Sequence, residues 1–486
     1  MSKRDSPPPT DSVTPKSLNA KFSPSRSSAS PARAAAFDIL LRVERESSYA
    51  AELLHSHKYE SLTRLDHSLT TEIVMGVLRW RALLDAEISG SSSQPLSKLD
   101  PEILTALRLG TYQLRWLTRI PARAAINESV ELVKRARKRS AAPFVNAVLR
   151  KLTSAVSEEL RSQPFEVVGD SPQTIADRSA HPLWLVQRWV QAYGLESTRR
   201  IAGHNQSIKI TAVRLRHPQA EAQLRTEGID LIPGGLLAAA RRVQGGDITN
   251  TATFRSELCV IQDEASQLVA AMLGTGAQIL DCCAAPGGKT LALADHNPKS
   301  RIIAAELHSH RARLLRSLVQ AHHPAGERET GNIYVVAADA CHLPFVNNFD
   351  RILVDAPCSG TGTLSRNPEI KWRLTEKDLS DLHRRQLEIV RSAMAQLTAG
   401  GRLFYSTCSL EREENEDVVE QVLAENKAYR VVPCEVELKR LQLEGELTCQ
   451  DLSSLTSGPY LRTLPGVHPC DGFFCAILER MELLAE

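Results

Sequence analysis

Cys358 and Cys408 are the residues most suited to chemistry. Cys358 stands in Asp355-Ala356-Pro357-Cys358-Ser359-Gly360, directly after the apolar run Ile352-Leu353-Val354, and Cys408 stands in Ser406-Thr407-Cys408-Ser409 after Leu403-Phe404-Tyr405. Short apolar runs of this kind read as buried strands. In an open α/β sheet the strand carboxyl ends face the ligand crevice. Two thiols at adjacent strand ends, beside an aspartate, predict covalent catalysis by a thiolate. The ordinary reading of a cysteine is a small buried hydrophobe, and it is kept for Cys259, Cys282, Cys341, Cys434, Cys449, Cys470 and Cys475.

A second constellation has the form of a cofactor site. Cys283-Ala284-Ala285-Pro286-Gly287-Gly288-Lys289 joins the strand Gln278–Asp281 to a helix beginning at Lys289. Small residues let backbone approach a ligand, and a helix N-terminus offers free N–H groups. A tight strand-to-helix turn would look the same, but acidic residues follow at the next strand ends: Glu306 after Arg301–Ala305, Asp339 after Ile333–Ala337, and Asp355. A carboxylate at the second strand end is placed to accept ribose hydroxyls. No G-x-G-x-x-G occurs, which argues for a nucleoside cofactor smaller than a dinucleotide. S-adenosyl-L-methionine fits, with its ribose at Glu306, its adenine edge near Asp339 and its amino-acid end near the 283–289 loop.

These groups need an alternating β-α-β frame, and residues 256–486 supply it: a parallel, doubly wound α/β sheet of the Rossmann type. A long helix is expected over about Glu376–Leu397, stopped by Gly400-Gly401. Residues 31–155 read as all-helical, with Ala35, Ile39, Leu40 and Val43 at helical spacing and Asp100-Pro101 starting a helix as N-cap and first residue. Residues 170–255 read as a small connecting domain, with a strand at Thr211–Leu215. Residues 1–30, rich in Ser and Pro, read as a disordered tail. With 486 residues, 42% hydrophobic content and a net charge of +2, the chain is an ordinary globular protein, and any nucleic-acid affinity must come from local patches. It shows no membrane span and no secretory signal, so a cytoplasmic location is expected. No C-x-x-C occurs among the ten cysteines, so no zinc or redox motif is expected.

In order and spacing, Asp281–Lys289, Asp355–Gly360 and Ser406–Ser409 resemble the RNA cytosine-C5 methyltransferases of the RsmB/NSUN type. Ile261-Gln262-Asp263-Glu264-Ala265-Ser266 and Asp471-Gly472-Phe473-Phe474 match further segments, and residues 31–155 resemble the NusB-like RNA-binding domain. That pairing is similar to the family's bacterial 16S ribosomal RNA enzymes rather than its transfer-RNA members. The resemblance implies Cys408 as nucleophile, Cys358 as the thiol assisting adduct breakdown, Asp355 on the cytosine N3/N4 edge and Lys289 supporting Asp355. Two departures stand out. Glu306 replaces the family's usual Asp, and Arg366-Asn367-Pro368-Glu369 replaces a more usual Arg-His-Pro-Asp. For RNA contact the densest basic run is Lys134, Arg135, Arg137, Lys138 and Arg139, with Arg366 and Lys371 beside the Cys358 loop. Neither membrane nor DNA is expected as a partner, and nothing demands more than a monomer. Two rivals remain: a DNA cytosine-C5 methyltransferase, in which Cys358 would attack, and a catalytically dead RNA-binding factor.

Overall fold

The structure is a computed structural model, and it describes residues 29–46, 48–155, 167, 169–322, 332–346 and 348–482. Of the expected tail, residues 1–28 lie outside the described residues. Ser30 is held, donating its N–H to Glu128 Oε2 at 2.8 Å.

The N-terminal region is helical throughout: α1 (Pro31–Glu46), α2 (Ala50–Leu54), α3 (Arg64–Ser91), α4 (Pro101–Trp116), α5 (Ala122–Arg135) and α6 (Ala142–Ala155). Apolar residues at i, i+3, i+4 spacing bring Ile39, Leu84, Leu107, Leu132 and Val145 into one fully buried core. Pro101 occupies the first turn of α4 as expected. Asp100 makes no capping hydrogen bond, and its carboxylate pairs with Lys138 at 2.8 Å instead.

The segment read as one connecting domain divides in two. Helices Pro172–Ser179 and Leu183–Gln206 pack elsewhere, the second burying Leu185, Trp189 and Ile201 against Leu364, Ile370 and Leu410 of the C-terminal region. The small sheet, in order β2-β3-β1-β4, is built from β1 (Thr211–Leu215), β2 (Asp230–Pro233), β3 (Ala240–Gly245) and β4 (Cys259–Ile261). Its last strand lies past the expected limit at 255. The alternation signal of a three-residue strand is too short to place that boundary.

The large sheet carries the site. Strands β5 (Gln278–Asp281), β6 (Arg301–Glu306), β7 (Ile333–Ala337), β8 (Phe349–Asp355) and β9 (Leu397–Thr407) are parallel and lie in the order β7-β6-β5-β8-β9. The last strand, Phe473–Arg480, adds antiparallel to β9. The chain departs from β5 to one side and returns to β8 on the other. The crevice at their carboxyl ends is therefore the topological switch point, where open α/β sheets take ligands. The long helix stops at Met394, earlier than expected, and Gly400-Gly401 lies inside β9, with Gly400 at φ 72°. The glycines mark an irregular strand entry, where the β8–β9 register shifts, rather than a helix C-cap.

The helical and C-terminal regions are bolted together through backbone. Glu369 accepts the Ala50 N–H at 2.8 Å. Lys371 donates to the Arg79 and Ala180 carbonyls, Trp372 Nε1 to the Leu78 carbonyl, and Arg373 to those of Val43 and Ser48.

Candidate active site

The parallel pairing of β8 with β9 sets Asp355 opposite Ser406, so the turns leaving the two strands emerge side by side. Those turns carry the cysteines. Cys358 Sγ and Cys408 Sγ lie 3.3 Å apart, in hydrogen-bond contact and both half-buried. The hydrogen bond to Cys408 and burial, aided by the negative charges of Glu414 and Asp355, hold the Cys358 thiol well above its usual range. Asp355 Oδ2 accepts from Lys289 Nζ at 2.8 Å, and Oδ1 accepts from Ser406 Oγ at 3.0 Å. Burial works to lower the Lys289 pKa, but Asp355 outweighs it and holds the ammonium above its usual range. The same ammonium sits 5.0 Å over the Phe473 ring. The expected support of Asp355 by Lys289 is thus direct.

A cleft of about 460 Å³ opens over these groups. Its walls include both thiols, Asp355, Cys283 and Ala285 from the β5 turn, Glu306 from β6, and Asp339. Glu306 is 4% exposed. Its Oε1 accepts the His308 N–H at 3.0 Å, and Arg311 lies 3.7 Å from the same oxygen. Asp339 accepts the Cys341 N–H, which lowers its pKa. Asp281, at the end of β5, is fully buried, and burial pushes its carboxyl up to about 7, against a hydrogen bond from Thr290 Oγ1 at 2.7 Å. A nucleoside cofactor fits this donor set. A buried carboxylate at the second strand end suits a vicinal diol, and Leu307, Ala340 and Ile389 give the cleft an apolar wall for a base.

Some expected residues stand elsewhere. Ala284, Pro286, Gly287, Gly288 and Lys289 do not line the cleft. Ala284 is buried with its N–H on the Ala305 carbonyl, and Gly287 (φ 118°) lets the turn pass closely over Leu315 and Leu318. Lys371 is corrected outright. It is 1% exposed, and its ammonium is spent on the Arg79 and Ala180 carbonyls at 2.9 and 3.1 Å, so it cannot meet RNA. Burial, with Arg79 nearby, drives its pKa well below the usual lysine range. Arg366 is also committed, bridging Asp263 at 2.8 Å and Asp471 at 3.1 Å. The basic run is no helix face. It spans the last turn of α5 and a turn in which Arg137 has φ 64°. Lys134 pairs with Glu131, Arg135 with Asp38 and Lys138 with Asp100, while Arg137 and Arg139 have no carboxylate partner among the described residues.

Three contributors were missed by sequence reasoning. Tyr49 and Glu52 reach the cleft from the helical region, and Arg373 lies 5.7 Å over the Tyr49 ring. Glu414 is fully buried beneath the cysteine turns, where it binds Ser359 and Ser409. In the sequence it sits inside Glu411-Arg412-Glu413-Glu414, which has the composition of a solvated charge run.

A Rossmann-type sheet with a cofactor-sized crevice and two thiols at its switch point defines the methyltransferase class. Family comparisons place the chain within it: residues 271–479 match the family described as 16S rRNA methyltransferase RsmB/F, and residues 30–154 match the NusB family. The chain is 32% identical over 457 residues to the probable ribosomal RNA small subunit methyltransferase B of Bacillus subtilis, covering 92% of this chain and 98% of that one. It is 30% identical to the ribosomal RNA small subunit methyltransferase B of Vibrio cholerae, over 85% of this chain and 90% of that one. It superposes on the crystal structure of PH0851 with a TM-score of 0.73 at 22% identity, covering 92% of this chain and 98% of the other. NSun6 from Pyrococcus horikoshii, solved with SFG, shares the fold at a TM-score of 0.51 and 19% identity, over 61% of this chain and 97% of the other. The chain belongs to the RsmB/F family of 16S rRNA methyltransferases, with a NusB-family domain at its N-terminus.

Proposed function

We propose that this enzyme methylates C5 of a cytosine in 16S ribosomal RNA, using S-adenosyl-L-methionine and a transient bond between Cys408 Sγ and cytosine C6. The observation that carries this reading is the thiol pair, 3.3 Å apart at neighbouring strand ends, beside an aspartate paired with a half-buried lysine.

Cytosine C5 is too weak a nucleophile to take a methyl group unaided. The Cys408 thiolate adds to C6, and the C5=C6 electron pair moves to C5. Asp355, held by Lys289 and Ser406, is placed to hydrogen-bond the N3/N4 edge and favour that shift. S-adenosylmethionine supplies an electrophilic methyl group when bound. Glu306 would accept its ribose hydroxyls, with Asp339 near the base and the Cys283–Ala285 turn near the amino-acid end. A fold neighbour solved with SFG, an analogue of that cofactor, supports the assignment. Once C5 is methylated, a base takes its proton, the C5–H electron pair restores C5=C6, and the C6–S bond breaks with its electrons leaving on the Cys408 sulfur as thiolate. Cys358, hydrogen-bonded to the departing sulfur, assists that release.

The target base must leave its stack to enter the cleft. The NusB-family domain is assigned to RNA binding, with Arg137 and Arg139 as the cations of the basic run that have no carboxylate partner among the described residues. Among the described residues no helix is long and apolar enough to cross a membrane, in keeping with a cytoplasmic ribosomal substrate. The test compares C358A and C408A on 16S rRNA. Cys358→Ala should accumulate a denaturation-resistant protein–RNA adduct, and Cys408→Ala should form neither adduct nor 5-methylcytidine. The reverse pattern would make Cys358 the nucleophile, as in the DNA enzymes, and absence of methyl transfer by the wild type would leave an RNA-binding factor.

A further inference from the structure

Glu414 belongs to neither the thiol pair nor the cofactor cleft, yet it is fully buried and makes an unusual set of contacts. Its Oε1 accepts the Ser359 N–H at 2.8 Å and Gln386 Nε2 at 3.0 Å. Its Oε2 accepts the hydroxyls of Ser359 and Ser409, each at 2.5 Å. Ser359 follows Cys358 and Ser409 follows Cys408. One carboxylate therefore holds the residue after each thiol. Gln386 also donates to the Pro357 carbonyl at 2.9 Å, gripping the Cys358 turn from its other side. The Glu414 carbonyl accepts the Tyr405 hydroxyl at 2.5 Å, which anchors the clamp to β9. Buried carboxylates are costly unless their lone pairs are filled. Here four donors fill them, and three of those four come from the residues flanking the sulfurs.

We propose that Glu414 is the positioning residue that sets the Cys358–Cys408 separation, so that the two thiols act as one hydrogen-bonded donor–acceptor pair. This rests on the reaction proposed above. Its charge has a second effect in the same sense. With Cys408 and Asp355, it favours the neutral form of Cys358, leaving Cys358 as the S–H that can stabilise a thiolate at Cys408. The titratable groups facing Cys358 are Cys408, Glu414 and Asp355, with Tyr405 from β9 and Tyr49 from the helical region also sensing its charge.

The test uses the full-length protein and E414Q, which keeps volume and can still hydrogen-bond, with E414A as the harsher variant. E414Q should keep its melting temperature and its affinity for S-adenosylmethionine within about twofold of wild type. Its kcat should fall by about tenfold or more while KM for RNA stays within about threefold. A second readout is independent of activity. In a C408A background, site-resolved iodoacetamide alkylation of Cys358 at pH 8 should run about threefold faster or more with E414Q than with Glu414, because a negative charge beside the thiol is gone. Wild-type kcat in a folded E414Q, or unchanged Cys358 alkylation, overturns the proposal. A kcat loss matched by loss of cofactor affinity and melting temperature also overturns it, since it would make Glu414 a fold-wide support. Failure of wild-type methyl transfer with the alkylation shift intact would instead count against the reaction.

Discussion

Gly362 offers a sharp test of how the loop of the proposed nucleophile, Cys408, is held. Its N–H donates to the Cys408 carbonyl at 2.8 Å, and its own carbonyl accepts the Gly472 N–H at 2.9 Å. A Cβ at this position would lie 2.8 Å from the Cys408 carbonyl oxygen and closer still to that of Gly472, whereas ordinary contact begins at 3.4 Å. Both obstacles are backbone, so neither can swing aside as a side chain would. Gly362→Ala must therefore push the Cys408 turn by at least the 0.6 Å difference or part it from the Gly472 loop. Overpacking of this kind costs about 3 kcal/mol, or a fall in melting temperature of roughly 5 °C or more. If Cys408 attacks as proposed, its displacement by most of an ångström should cost about 10- to 100-fold in kcat. Affinity for S-adenosylmethionine, whose proposed site lies across the cleft at β6, should be nearly unchanged. The assay is tritiated methyl transfer to 16S rRNA, with calorimetric unfolding and cofactor titration on the same preparations. A G362A enzyme with wild-type kcat and melting temperature would refute the claim that these loops have no room to move.

Glu306→Ala should weaken S-adenosylmethionine binding by about 10-fold or more, since hydrogen bonds to a charged acceptor contribute about 1.5–3 kcal/mol, while RNA affinity measured by filter binding stays the same. Tyr49→Ala should raise KM for RNA and spare cofactor binding, and Tyr49→Phe should restore it, if the ring at the cleft wall meets the displaced base. Burial raises the Asp281 carboxyl to about 7 from 3.8, so the native state keeps a proton that the unfolded chain has released. Its contribution to stability therefore declines as pH rises between about 4 and 7, by about 1.4 kcal/mol per pH unit. The melting temperature of Asp281→Asn relative to wild type should climb across that window and level off above it. Lys371→Met should lower stability by about 1–3 kcal/mol by removing the donor to the Ala180 carbonyl and one of the donors to that of Arg79, which keeps Gln206 Nε2, without changing the salt dependence of RNA binding. The double change R137A/R139A should make that dependence shallower and leave stability alone.

Strands β5, β6 and β7 were legible because each is a short apolar run with a candidate site residue at or just past its end, and they lie where those runs place them. Burial on both faces makes such strands nearly continuous in Ile, Leu and Val. The thiol pair was legible for the same reason: Cys358 and Cys408 each follow an apolar run by a few residues, and adjacency of β8 and β9 brings them together. Charged residues were misread or missed wherever tertiary contacts reversed their usual preference. Lys371 and Glu414 are buried, and nothing in their neighbours announces that a long polar side chain will find carbonyls or hydroxyls in the interior. Arg366 and Lys138 were read as free cations because their acids, Asp471 and Asp100, are distant in the chain. Gly400-Gly401 was misjudged because a glycine pair serves equally as a helix stop and as an irregular strand entry.

The join between the two halves of the molecule has an evolutionary consequence. Lys371, Trp372, Arg373 and Glu369 grip main-chain atoms at Leu78, Arg79, Val43, Ser48 and Ala50. Every residue type except proline presents the same amide, so the helical half is free to change its surface chemistry, and with it any RNA surface it offers, without losing its seat. The burden of coevolution falls on a few side chains next to the Cys358 loop, and drift there would loosen recognition and catalysis together.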